Sequence, residues 1–85
     1  MEYKQWNVQI WISETDDDAL TTATAVLFTP DGKGHESVGH ARRNPDDRPV
    51  PGIGDELAVG RALADLTAKL IEDGARDIAQ LAGPA

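Results

Sequence analysis

From Trp6 to Ile12 apolar and polar positions alternate, with Trp6, Val8, Ile10 and Ile12 on one side and Asn7, Gln9 and Trp11 on the other. That two-residue period is the mark of a half-buried strand. The run Glu14-Thr15-Asp16-Asp17-Asp18 that follows is self-repelling and poor in strand formers, which predicts a solvated loop. A calcium loop would need a glycine after its third ligand position and a closing glutamate, and the run has neither. Leu20 to Thr29, rich in threonine and valine, predicts a second strand with Ala23, Ala25 and Leu27 on one face and Thr22, Thr24, Val26 and Phe28 on the other. If it folds back with Ser13 opposite Leu20, Trp6 meets Leu27, Val8 meets Ala25 and Ile10 meets Ala23. The core faces then agree, as a slip of one residue would not allow. Pro30-Asp31-Gly32 is a turn, and Glu36 to Arg43 predicts a third strand with Gly39 and Ala41 inward and Val38, His40 and Arg42 outward.

The inward set Ala23, Ala25, Gly39 and Ala41 is small throughout and predicts a shallow trough in which a helix lies close, filling it with its own larger side chains. The prolines at 45, 49 and 51 exclude both helix and regular ladder, so this stretch reads as a rigid crossover. A helix is expected to start at Gly54 or Asp55, with Asp55 and Glu56 at the positive end of its dipole, and to stop at Gly74. Its main stripe, Val59, Ala62, Leu63, Leu66 and Leu70, should cover the sheet. Asp65 with Lys69 and Glu72 with Arg76 stand four apart as opposite charges. A second stripe, Leu57, Gly60, Ala64, Ala68 and Ile71, is more than a lone two-layer domain requires. A partner element should lie there: either the C-terminal tail, Arg76 to Leu81, as a short helical turn, or a second subunit. The fold class is therefore α+β, three antiparallel strands followed by one long helix (β-β-β-α), in a single domain over residues 1–85.

An 85-residue chain buries a modest share of its surface, so association would strengthen it. With no cysteine and two histidines, it can form neither a disulfide nor a usual structural zinc site. The formal net charge of −7 works against nonspecific binding to nucleic acid or anionic lipid. No apolar run approaches the roughly 20 residues of a membrane span, and the N-terminus lacks the pattern of a signal peptide, so a cytoplasmic location is expected.

Candidate chemistry is sparse. Ser37 lies between His35 and His40, but strand alternation puts His40 on the opposite face, and spacing offers no orienting carboxylate. Gly52-Ile53-Gly54 before the helix would set any bound phosphate beside Asp55 and Glu56, so the glycines read as turn and cap residues. No catalytic residue, metal ligand, cofactor or small-molecule substrate is expected. The outer sheet face, with Trp11, Val26, Phe28 and Val38, and the helix stripe with Leu57, Gly60, Ala64 and Ile71 are the candidate homodimer contacts. Lys33, His40, Arg42 and Arg43 are the candidate RNA contacts, whereas Arg48 and Arg61 are expected to pair with Asp46, Asp47 or Glu56 and lock the crossover.

The chain also resembles a family of small actinobacterial proteins of unknown function, whose mycobacterial members are associated with hypoxia and dormancy. The resemblance is carried by Val38-Gly39, Ala41-Arg42, Asn44-Pro45, Asp47-Arg48, Val50-Pro51, Ile53-Gly54-Asp55-Glu56-Leu57, Arg61-Ala62-Leu63 and Asp65-Leu66. The first two strands extend it over most of the chain. It implies a fold like the double-stranded-RNA-binding domain (dsRBD), homodimers, and similarity to ribosome hibernation-promoting factors, with the ribosome and its RNA as expected partner. It implies no catalytic residues.

Overall fold

A computed structural model describes residues 1–32, 34–50 and 52–83. Strands β1 (Asn7–Glu14), β2 (Leu20–Phe28) and β3 (His35–Arg42) form one antiparallel sheet in the order β1-β2-β3, and helix α1 (Ile53–Ala82) follows. The expected α+β order, three strands and then one long helix, is the observed one.

The first hairpin closes more tightly than expected. Ser13 faces Thr22, and Val8, Ile10 and Ile12 stand opposite Leu27, Ala25 and Ala23, two residues away from the expected pairing. The cause is the loop. Thr15 N–H donates to the Leu20 carbonyl, the Leu20 amide donates to the Thr15 hydroxyl, and the Asp17 carboxylate accepts from Thr15 Oγ1 and the Ala19 amide. Asp18 takes the left-handed turn, with φ of 57°. Local hydrogen bonds thus hold the acidic residues in a tight turn that repulsion alone would have widened. A slide of two residues keeps every side chain on its face, so the inward set is unchanged.

The inward small residues do form the helix bed. Ala23 pairs with Gly39, and Thr21 with Ala41. A Cβ at Gly39 would run into the Ala58 carbonyl oxygen and the Ala62 amide nitrogen, so the helix backbone rests directly on this glycine. Large helix side chains do not fill the trough. The buried core is Ala23, Ala25, Ala41, Ala58 and Ala62 with Leu27 and Leu66, flanked by half-buried Val59 and Leu70. The buried helix stripe is rotated towards Ala58, leaving Leu63 37% exposed. Close backbone approach explains the rotation: where glycine and alanine line both sides, contact is densest with alanine in the interface.

The bed lies under β2 and β3 only. A helix about 10 Å across covers two strands at a spacing of about 4.8 Å, not three. The uncovered strand is β1, exposed along its whole length. Its inward residues and Trp6 just before it, expected in the core, are in fact open: Trp6 is 54%, Val8 43%, Ile10 38% and Ile12 46% exposed.

The helix begins on Gly52, whose φ of 95° suits glycine, and runs 30 residues without a break. Gly74 is interior to it and no cap, so the expected C-terminal turn is its last two turns. A strong flanking sequence explains this, since one interior glycine costs about 1 kcal/mol relative to alanine and does not by itself end a helix. Because the helix continues, Arg76 reaches both Glu72 (3.5 Å) and Asp73 (3.2 Å). Lys69 pairs with Asp65 at 3.2 Å. The two sheet edges are unlike: Arg61 donates to the His40 carbonyl and Lys69 to the Glu36 carbonyl, each at 2.7 Å, so helix side chains blunt the β3 edge.

Candidate interaction surfaces

Among the described residues, three open apolar surfaces and a polar cleft at the helix N-terminus are candidates to carry function. The first surface is the outer sheet face. Strand alternation places Trp11, Val26, Phe28 and Val38 there, with Trp11 53%, Phe28 46% and Val38 44% exposed and Val26 half-buried. His40 stands on the same face, its Nδ1 3.1 Å from the Thr22 hydroxyl. The second surface is the helix stripe facing away from the sheet, Leu57, Gly60, Ala64, Ala68 and Ile71, all exposed. The third is the inward face of β1. Alternation alone places it in the core, because alternation shows which residues share a face but not how far across a sheet one helix reaches.

At the helix N-terminus an open cleft of about 730 Å³ is lined by Glu14, Arg42, Arg43, Asp47, Arg48 and Asp55 among others. Here the candidate cations divide. Arg43 is built into the loops: it donates through Nη1 to the Asp47 carbonyl at 2.9 Å and through Nη2 to the Asp17 carbonyl at 3.4 Å. Arg61, expected to lock the crossover, instead serves the β3 edge. Arg48, expected to pair with Asp46, Asp47 or Glu56, has no side-chain partner among the described residues, and neither has the exposed Arg42. Lys33 lies outside the described residues.

The carboxylates of this region are perturbed in opposite senses. Glu14 shares a hydrogen bond with Asp55 and feels its charge, which raises the Glu14 pKa. The hydrogen bond from Thr15 and that from the Ala19 amide lower the pKa of Asp17. On the helix, Lys69 first and Ser37 second lower that of Asp65. An acidic pair in the cleft beside the arginines leaves no site of uniform charge.

Ser37 has the expected geometry and no access. His35 shares its face and does acquire a carboxylate, Asp73, at 2.7 Å. That partner comes from the helix part placed after strand β3 by folding, a separation that no motif spacing reveals. Ser37 itself is 1% exposed under the helix, and its hydroxyl is near the Asp65 carboxylate without a hydrogen bond of good geometry. A hydroxyl sealed in this way meets no substrate. Among the described residues no cluster of histidine and carboxylate side chains could hold a metal ion, and no helix is long and apolar enough to cross a membrane.

The chain is similar to proteins that carry no assigned activity. Over 75 residues it is 45% identical to the uncharacterised protein Mb1767 of Mycobacterium bovis, covering 88% of this chain and 77% of that protein. It is 41% identical, over the same share of each chain, to the uncharacterised protein Rv2632c of Mycobacterium tuberculosis. The crystal structure of Rv2632c superposes with a TM-score of 0.87 at 36% identity, covering 100% of this chain and 98% of that one. Residues 4–85 match the Rv2632c-like family description, and on the strength of that match and of these relatives the chain belongs to the Rv2632c-like family.

Proposed function

We propose that this protein works by binding and not by catalysis, as a homodimer that engages other proteins through its outer sheet face. The observation that carries this reading is an inverted distribution of side chains. The core is mostly alanine, while Trp6, Trp11, Phe28, Leu57 and Ile71 lie 46 to 68% exposed. Scattered exposed apolar residues are ordinary, but contiguous ones on both faces of a small sheet are the surface of a protein made to be covered. Light scattering of the purified chain at micromolar concentration tests the dimer, and a single monomeric species would refute it. Capture of partners with the wild-type protein and with Trp11→Ala/Phe28→Ala tests the outer face. Partners retained equally by both would remove that face from the proposal.

A second reading keeps the ribosome as the partner, in a stress or dormancy role that limits translation in the cytoplasm. It is supported by the resemblance to dormancy-associated proteins and by Arg42 and Arg48, which line one cleft without partners among the described residues. Binding to purified ribosomes over a salt series tests it. Affinity that falls with salt, and falls further in Arg42→Ala/Arg48→Ala, would put these side chains on phosphate. Arg43 is the poorer probe, since its removal disturbs two loops. Absence of binding at low salt would leave the protein-binding reading alone.

A further inference from the structure

The proposed homodimer leaves open which surfaces meet, and the following inference rests on that reading. We infer that a second copy of the chain stacks on the helix side of the sheet, so that the outward stripe of each α1 lies on the uncovered inward face of the other copy's β1. The result is a three-layer arrangement in which two sheets enclose one layer of two helices.

Three observations carry it. The first is shape. The β1 face presents large side chains, Trp6, Val8, Ile10 and Ile12, whereas the helix stripe is small at its centre, Gly60, Ala64 and Ala68, with Leu57 and Ile71 at its ends. Nothing lies within 4 Å of a Cβ built on Gly60, so that part of the helix is open to close approach. Large residues on one surface meet small residues on the other, which is how apolar layers interdigitate. The second is length. Trp6 to Ile12 spans about 20 Å at 3.3 Å per strand residue. Leu57 to Ile71 spans about 21 Å at 1.5 Å per helix residue.

The third is area. Large apolar side chains carry roughly 150–250 Å² each, so the exposed fractions of Trp6, Val8, Ile10, Ile12, Leu57 and Ile71 amount to about 450–750 Å² per copy before the small residues between them are counted. A stable specific interface buries about 800 Å² per partner. Symmetry supplies the pairing, because every copy carries both the strand face and the stripe. A two-fold axis along the helices brings both contacts together at once. One helix is too narrow to cover β1 as well as β2 and β3, and the second copy provides the missing one.

The chain contains no cysteine, so single introduced thiols report contacts without background. Ile10→Cys and Ala64→Cys, prepared separately and mixed under oxidising conditions, are expected to form the mixed disulfide, while Val38→Cys on the outer face forms none with Ala64→Cys. Ala64→Glu, at an exposed position that leaves the fold unchanged by circular dichroism, is expected to weaken association about 100-fold, since the carboxylate would be buried without a partner. A dimer that forms no Ile10–Ala64 disulfide would overturn this geometry and leave the homodimer standing. Dominance of Ile10–Ile10 disulfides would replace it with pairing along the β1 edge. A chain that is monomeric throughout would overturn both.

Discussion

Gly39 is the residue on which the fold turns, because its missing side chain lets the helix backbone rest on the sheet. Any side chain there meets backbone atoms of Ala58 and Ala62, which cannot step aside as a flexible side chain could. Gly39→Ala is therefore expected to destabilise the domain by about 3 kcal/mol or more, at the upper end of overpacking costs, as read from the midpoint of urea unfolding. An unchanged midpoint would mean that the helix does not rest where the structure has it. Glu14 makes a smaller and pH-dependent contribution. Its pKa is raised, first by the hydrogen bond with Asp55 and then by the charge of that group. The folded state therefore holds this proton more tightly than the unfolded chain. Its contribution to stability is full below the ordinary carboxylate pKa and is lost as pH rises through the raised value. Glu14→Gln should accordingly raise the melting temperature at neutral pH, with the gain vanishing in acid. Asp17 has the opposite sign, since its lowered pKa favours folding above the ordinary value and that support is lost on acidification.

The helix is the element in which local signals and the observed fold diverge most usefully. Gly74 carries the signature of a stop, yet the backbone passes through it helically and a Cβ there would touch nothing within 4 Å. Gly74→Ala is thus expected to stabilise the domain by about 0.5–1 kcal/mol, visible as a higher thermal midpoint and more helical circular dichroism. A loss of stability instead would indicate that the helix does break there. The strands were legible because alternation is a local property: the inward sets Ala23-Ala25-Leu27 and Gly39-Ala41 stand where the pattern puts them. The register of β1 was legible only to its parity, since the closing hydrogen bonds of Thr15 and Asp17 depend on a loop conformation that composition does not encode. The buried stripe could not be placed within one helical position, because Val59 and Leu63 are the more apolar residues while close packing on Gly39 favours Ala58.

The molecule as a whole is long and thin for its size, 58 × 30 × 20 Å, with a helix of about 45 Å lying on strands of about 27 Å. The last turns of the helix overhang the sheet, with Ile78 70% and Leu81 89% exposed. Such a shape gives the chain little interior of its own, and the open helix stripe was readable in sequence for that reason: periodicity there exceeded what one sheet could use. The open β1 face was not readable, because it becomes visible only once the helix is known to sit over β2 and β3. If association completes the core, stability must depend on protein concentration, because unfolding then releases two chains from one particle. A tenfold rise in concentration contributes about 1.4 kcal/mol per dimer, or about 0.7 per chain. For a domain near this size 1 kcal/mol moves the midpoint by about 4–8 °C. The melting temperature should therefore climb by about 3–6 °C for each tenfold increase in concentration, and Ala64→Glu, by weakening association about 100-fold, should lower it at a given concentration by about twice that step. Calorimetry across a hundredfold range of concentration decides the matter, since an invariant midpoint in the wild-type chain would mean that its alanine-rich core is sufficient by itself.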